Sequence, residues 1–577
     1  MGEGADRPAD IGNGEEIMSQ LRKYSLVVPF LIAVLYIAPL GVRPMFVPDE
    51  SRYAEASREM LASGNWVSPR LNGLRYFEKP VFGYWATAVS IMMFGENNFA
   101  IRLPSALSVA LTAFFISSIP CSGAKKEEET AAPLAALVFL TSLEVYAVGT
   151  FSVLDSLLSC FITGTMVAFY LASQSISSSW REKKYLALSG MFCGLAFLTK
   201  GFLAFAVPIL AIVPYLLSQR RYRDILRMAW LPLLTGMLVS LPWSIQIHLH
   251  EPDFWRFFFW NEHIRRFLAT NAQHRESFWY FFISAPAMFL PWVFLIPAAV
   301  NGLFSRTDQE KRKISPVVSF CICWFVFPFL FFSLSRGKLL TYILPCLPPF
   351  AILMSLGLRK VLKKGNIHSF QVGAIGAAMM YGALLVAIVA LMICTNFFGC
   401  NIPLPENRDW KWLMTINGLL VMILFFIAAV HCRKTDHKIL LFGLAPVLLL
   451  FVANFIIPDL TLEKKAPDLL LKRHQYDISE SSVILSSEET VLNVCWQFRR
   501  DDVYIVGSPG ELKFGVQFDD SRSKLVDLQQ ARELIEKNPG KSFLIATVRD
   551  FANWKNQLPS PAFLDNNGAK GYVFVKY

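Results

Sequence analysis

Six charges crowd the stretch "FVPDESRYAEASREML", Phe46 to Leu61: Asp49, Glu50, Arg52, Glu55, Arg58 and Glu59. Pro48 suits a helix start, and Asp49 and Glu50 then fall in the first turn, where acids are favoured. On that helix Asp49, Arg52, Tyr53 and Ala56 share a face, so an acid and a guanidinium are presented together. Such a face is one wall of an active site or the solvated side of a juxtamembrane helix. The other four charges read as helix surface, the usual fate of a charge run. A second cluster, "RYFEKP", packs Tyr76, Glu78 and Lys79 ahead of Pro80. Lys79 suits a phosphate as a point charge, or snorkels to headgroups. Glu78 suits a metal ion or pairs with Lys79.

Further ionisable groups stand at the edges of apolar runs. Asp155 lies in "FSVLDSLLSC", Lys200 in "AFLTKGFLAF", and Lys338 with Tyr342 in "SRGKLLTYILP". Groups so placed face a cavity or one another. Several cations on one membrane face suit an anionic lipid headgroup. His263, in "FFFWNEHIRRF", precedes Arg265 and Arg266. His263 and Glu78 make only half of a metal site, since zinc takes three or four protein ligands. For His248 and His250 a structural or solvated role is expected. No GxGxxG, Walker A or H-E-x-x-H pattern occurs, so nucleotide and metalloprotease chemistry have no signal.

The elements that position these groups are membrane helices. Of 577 residues, 54% are hydrophobic and 17% charged, against about 25% charged in soluble domains. The polar N-terminus, residues 1–23, lacks a short apolar region followed by a small-residue cleavage site, so residues 24–42 read as a retained span. Further candidate spans are 102–120, 131–149, 151–173, 185–199, 201–218, 228–245, 278–300, 316–334, 339–358, 370–395, 412–431 and 439–457, about thirteen in all. The segment 80–95 is apolar but short, and reads as an in-plane interfacial helix. Basic residues follow every second span, among them Lys125 and Lys126, Arg220 to Arg227, Arg359 to Lys364, and Arg433 with Lys434. The positive-inside rule makes those loops cytoplasmic, and they account for the net charge of +11 without nucleic acid. The long loops 43–101 and 246–277, which carry the acids, bases, His and aromatics, then lie outside. Charges crowded on one face, with no internal repeat, argue against a transporter, which places charges at the midplane.

Beyond residue 458 the apolar runs shrink to strand length, "SVILSS", "DVYIVG", "SFLIATV" and "GYVFVKY", around a helical "LQQARELIEK". Residues 459–577 therefore read as a small α/β domain, on the outer side by parity. The ten cysteines lie mostly in apolar runs and read as small buried hydrophobes; Cys394 and Cys400 are a candidate pair.

Together "DESRYAE", "GNWVSPRLNGLRYFEKP", "SVLDSLL", "LTKG", "NEHIRRF" and "KLLTYILP" resemble the bacterial lipid A aminoarabinose transferases, which are distantly related to protein O-mannosyltransferases. The match runs from residue 24 to about 360 in order and spacing; the first two motifs are the specific part. The resemblance implies a membrane all-α GT-C glycosyltransferase fold with thirteen spans over 24–458, interfacial helices and a periplasmic α/β domain. It implies transfer of 4-amino-4-deoxy-L-arabinose from undecaprenyl phosphate to lipid A phosphates, which lowers affinity for polymyxin. It further implies a monomeric inner-membrane enzyme that inverts the sugar and uses membrane lipids as its partners. By the same resemblance Asp49 is the principal acid, with Asp155 beside it. Arg52, Tyr76, Lys79, Lys200, Arg266 and Tyr342 hold phosphate, and Lys338 is grouped with them. Glu78 and His263 match metal positions, with Asn261 a rival; the implied metal is zinc or another divalent cation. The same motifs would serve another sugar, mannose or galactosamine, or a protein hydroxyl as acceptor.

Overall fold

A computed structural model of the chain describes residues 26–119, 131–265, 275–304, 314–398, 409–566 and 571–577. Among these, eight helices are long and apolar enough to cross a membrane, or nine if a bent pair is one span. The sequence windows that fall short are informative. The first, Leu26–Ile37, and Leu203–Ser218 are apolar but shorter, and the second carries Pro208 and Pro214 within it. The window 131–149 divides into helices Ala131–Leu140 and Leu143–Gly149. The window 278–300 is not a straight span. Tyr280–Met288 and Trp292–Phe304 meet at 98°, at Pro291, which has no N–H to continue the helical ladder. The segment after Pro80 forms the helix Phe82–Phe94, about 20 Å long at 1.5 Å per residue, which is too short to cross.

Close helix contact sets the depth of one site residue. Gly190 and Gly194 of helix Trp180–Lys200 lie against Gly236 of helix Trp230–His250; a Cβ on Gly190 would sit 2.0 Å from Thr235 Oγ1, and one on Gly194 would sit 2.7 Å from the Gly236 carbonyl. Small residues four apart allow backbones to approach in this way. The helix then stops at Lys200 because Gly201 adopts φ +83°, a conformation that side chains disfavour. The loop expected at 246–277 starts later, since its first residues continue the helix through His250. His250 Nδ1 there lies 2.9 Å from the Gln246 carbonyl on an exposed face, a local helical contact.

The C-terminal domain carries a six-stranded sheet in the order β5-β4-β3-β6-β8-β7, with β3 Val483–Ser486, β4 Tyr504–Val506, β5 Leu525–Val526, β6 Ser542–Thr547, β7 Phe563–Asp565 and β8 Tyr572–Lys576. β3 to β6 are parallel and β8 runs antiparallel between β6 and β7. All six residues of β6 are buried, as expected of a central strand covered on both faces. This α/β organisation agrees with the sequence reading.

One hairpin ties this domain to the membrane part. β1 Arg70–Leu71 and β2 Leu74–Arg75 pair antiparallel through Asn72 and Gly73, whose φ values are 53° and 68°. Asn-Gly is the favoured pair for a two-residue turn needing two positive φ angles. The Asn72 side chain donates to the Val503 carbonyl at 2.7 Å and accepts from the Val503 N–H at 3.0 Å. Arg75 reaches Asp520 at 2.8 Å and Glu251 at 2.9 Å. Cys394 is disulfide-bonded; Cys400 lies outside the described residues.

Candidate active site

Helix Asp49–Ser63 organises the site, and its charges divide sharply. Asp49 is half exposed, with 51% of its side chain accessible, and lies 3.3 Å from Arg52. Arg52 also pairs with Glu511, which comes from the C-terminal domain. Tyr53, one turn on from Asp49, is within electrostatic reach of Asp49, Asp155 and Glu511. Asp155 accepts from Lys200 Nζ at 2.6 Å, and Lys200 sits 4.9 Å from the Tyr342 ring centre. The structure thus joins Asp49 with Arg52, and Asp155 with Lys200 and Tyr342, all nominated from distant stretches of sequence. Helix Leu154–Ser173 starts at Asp155's turn, so the acid meets the helix end where negative charge is favoured.

The "RYFEKP" residues form the adjoining wall. Tyr76 is buried and donates its hydroxyl to Glu78 at 3.0 Å. Lys79 pairs with Glu262 at 3.0 Å. Arg52, Lys79 and Lys200 are therefore each matched with a carboxylate: Glu511, Glu262 and Asp155. Lys338 is buried and donates to the Glu276 carbonyl at 2.9 Å, at the end of the segment that follows residue 274. Arg266 and the His263 side chain lie outside the described residues. Glu78 has Tyr76 as its hydroxyl partner, and no group of three His, Cys, Asp or Glu forms among the described residues. Zinc takes three or four protein ligands, and of the two residues nominated for it only the Glu78 side chain is among the described residues.

The reading of Glu50, Glu55, Arg58 and Glu59 as solvated helix surface is overturned: all four are buried. Glu50 accepts from Arg43 at 2.6 and 2.9 Å, from Arg102 at 2.7 and 2.9 Å, and from the Phe46 and Ser152 N–H groups at 2.9 and 3.1 Å. Burial alone would raise its pKa, but Arg102 and Arg43 outweigh it and hold the carboxyl well below the usual range. Arg102 also donates to the Leu40, Arg43 and Pro44 carbonyls. This knot joins the first apolar helix, the site helix, the span Asn98–Ser117 and the loop before Asp155. Glu55 and Arg58 form a two-bonded pair at 2.6 and 2.8 Å, and Arg58 reaches the Arg500 carbonyl at 3.2 Å. Glu59 accepts from the Gly73 N–H at 2.9 Å; burial and then the neighbouring Glu55 push its pKa up. A solvated face was expected because charge runs usually face water; here Arg43 and Arg102 enclose Glu50, the hairpin meets Glu59, and the C-terminal domain meets Arg58.

Tyr53, Glu262 and Glu511 were missed. Tyr53 was legible, since it shares the face of Asp49. Glu262 stands beside the nominated His263. Glu511 carries no local signal, because only the fold of the distant domain brings it to Arg52. Burial first raises the Glu511 pKa, Arg52 opposes this, and Glu78 and Asp49 add to the rise.

Known proteins share this layout. A family model described as dolichyl-phosphate-mannose-protein mannosyltransferase matches residues 23–258. One described as arabinosyl transferase ArnT, C-terminal domain, matches residues 462–575. Two curated proteins, from Shewanella sediminis and Aeromonas hydrophila, are each named undecaprenyl phosphate-alpha-4-amino-4-deoxy-L-arabinose arabinosyl transferase. Both are 36% identical to this chain, over 89% and 92% of it and 91% and 95% of their own lengths. The chain belongs to this arabinosyl transferase family. The crystal structure of ArnT from Cupriavidus metallidurans bound to undecaprenyl phosphate superposes with a TM-score of 0.78 at 22% identity, covering 96% of this chain and 98% of that one. The archaeal oligosaccharyltransferase AglB from Archaeoglobus fulgidus gives 0.50 at 10% identity, covering 92% and 69%. These likenesses are of fold, and the transferase has the GT-C architecture with a C-terminal α/β domain.

Proposed function

We propose that this membrane glycosyltransferase moves 4-amino-4-deoxy-L-arabinose from undecaprenyl phosphate to a phosphate of lipid A. The reaction takes place at the periplasmic face of the bacterial inner membrane, and the protein acts as a monomer. Capping the phosphate lowers negative charge at the cell surface, and with it the affinity for polymyxin and related cationic peptides. The observation that carries this reading is the pairing of Asp155 with Lys200 and of Asp49 with Arg52, in a chain whose curated relatives bear that transferase name over most of its length.

The donor's leaving group is a lipid phosphate, and fixed cations stabilise its departing charge. Arg52, Lys79 and Lys200 are held in place by carboxylates, so each is pre-positioned, and a phosphate of higher charge competes for it. An acceptor phosphate is already anionic and barely needs a general base. Half-exposed Asp49 then positions the acceptor or offsets positive charge developing at the sugar carbon, in a single displacement that inverts that carbon. Were the acceptor a protein hydroxyl, Asp49 would act as base.

Mass spectrometry of lipid A from cells with and without the protein tests the reading. An aminoarabinose adduct that depends on the protein is expected; its absence with the protein present overturns the assignment of sugar and acceptor.

A further inference from the structure

A cavity of about 660 Å³ lies away from Tyr53, and none of the residues around Asp49 lines it. Three parts of the molecule form its wall. Gly41 and Met45 follow the first apolar helix, and the turn Phe94 to Phe99 precedes the span Asn98–Ser117. The third wall is the C-terminal domain, through Asp468, Lys472, Trp496 and Arg499. The cavity therefore sits where the span Asn98–Ser117 begins. Met92 and Met93, one turn before, are 67% and 69% exposed, as suits side chains that meet acyl chains.

The lining charges have a definite arrangement. Asp468 is 3% exposed; the Met45 N–H and Lys472 approach its carboxylate, while its Oδ1 makes no hydrogen bond of normal geometry. A buried acceptor of this kind costs free energy until a donor meets it. Lys472 lies 3.6 Å from the other oxygen and is half exposed; Arg499 is exposed and pairs with Glu96 at 2.8 Å. Two carboxylates and two cations line the cavity, so their charges cancel and neither a purely anionic nor a purely cationic ligand is matched. The acceptor is deep and the cations stand at the rim.

We infer that this cavity binds the headgroup of a zwitterionic aminophospholipid, with its ammonium donating to Asp468 and its phosphate on Lys472 and Arg499. A primary ammonium supplies the N–H donor that Asp468 Oδ1 lacks, which a quaternary choline does not. The Trp496 and Phe94 rings add apolar and cation-facing wall. The acyl chains run beside Met92 and Met93. A lipid so bound fastens the short helix Asp468–Arg473 of the C-terminal domain to the membrane boundary. This site is independent of the transfer reaction, and its test does not read transfer.

The experiment is native mass spectrometry of the full chain, purified in detergent and given phosphatidylethanolamine, phosphatidylcholine or phosphatidylglycerol of equal chain length, with glycerophosphoethanolamine as the headgroup alone. Retention of phosphatidylethanolamine over the other two lipids is expected. Asp468→Asn should weaken that retention by about tenfold or more, the equivalent of one charge-assisted hydrogen bond. Lys472→Glu, at an exposed position, should weaken it as well, and it decides the matter if Asp468→Asn fails to fold. Equal retention of phosphatidylethanolamine and phosphatidylcholine, or undiminished retention in the folded variants, overturns the proposal. So does binding of glycerophosphoethanolamine as tight as that of the whole lipid, which would make the ligand a soluble phosphoamine.

Discussion

The charges of helix Asp49–Ser63 are of the same types but divide into an open set, which holds Asp49 and Arg52, and a sealed set. On one face Asp49 is half open and its neighbour Arg52 bonds across to another domain. Around the rest of the helix, Glu50, Glu55, Arg58 and Glu59 are buried and bonded within the protein. A buried ion pair contributes little net stability, yet removing one partner is costly. The sealed face therefore specifies where the helix sits, and the open face is left with charges that a ligand can engage. Charge density by itself does not mark a catalytic face; accessibility does.

Single substitutions test that division. The largest effect is expected on the open face. Asp49→Asn should lower transfer by about a thousandfold or more, at the upper end of what one electrostatic group contributes, while the thermal unfolding curve stays as in the wild type. Near-normal transfer by a folded Asp49→Asn protein would remove its central role. On the sealed face, Glu50→Ala leaves Arg43 and Arg102 buried without their carboxylate. A loss of about 3–5 kcal/mol is expected, read as a fall in unfolding temperature in detergent. An unchanged temperature would show that the knot does not anchor the helix.

Smaller effects separate the faces more finely. Arg52→Lys keeps the charge but loses the planar fork, and transfer should fall by about tenfold, the equivalent of one hydrogen bond, with stability unchanged. A drop in stability without loss of transfer would move Arg52 to the structural class. Glu59→Gln should have the mildest effect, visible only as pH rises. The Glu59 pKa is raised in the fold, so its protonated form is favoured there. That contribution is complete below the ordinary carboxylate pKa and is lost as pH climbs through the raised value. Glutamine mimics the protonated acid, so the variant should keep its unfolding temperature on the alkaline side, where the wild type declines. Parallel declines in both proteins would show that Glu59 is not the titrating group.

Much of the site was legible because its residues stand where charge is expensive. Asp155 and Lys200 interrupt apolar runs, and they pair with each other at 2.6 Å. Lys79 was legible for the same reason, although its partner Glu262 was not singled out. The Asn72-Gly73 turn had a sequence signal that went unread, since Asn-Gly between apolar residues marks a hairpin. Glu511 had none. Span boundaries were the weakest reading: hydropathy averages over a window and does not register the bend at Pro291 or the break between Leu140 and Leu143.

By itself the sequence determined the class of molecule. Apolar windows must be buried in lipid or protein, period-two runs must pair as strands, and ionisable groups at span edges must find one another. Only the tertiary structure decided which charges are free to act. That choice depends on what covers the helix Asp49–Ser63, and part of its cover comes from residues more than four hundred positions away: Arg500 meets Arg58 and Glu511 meets Arg52. Local periodicity cannot report a contact between segments so far apart, because it is the packing of the α/β domain that meets Arg58 and Arg52 and leaves Asp49 open.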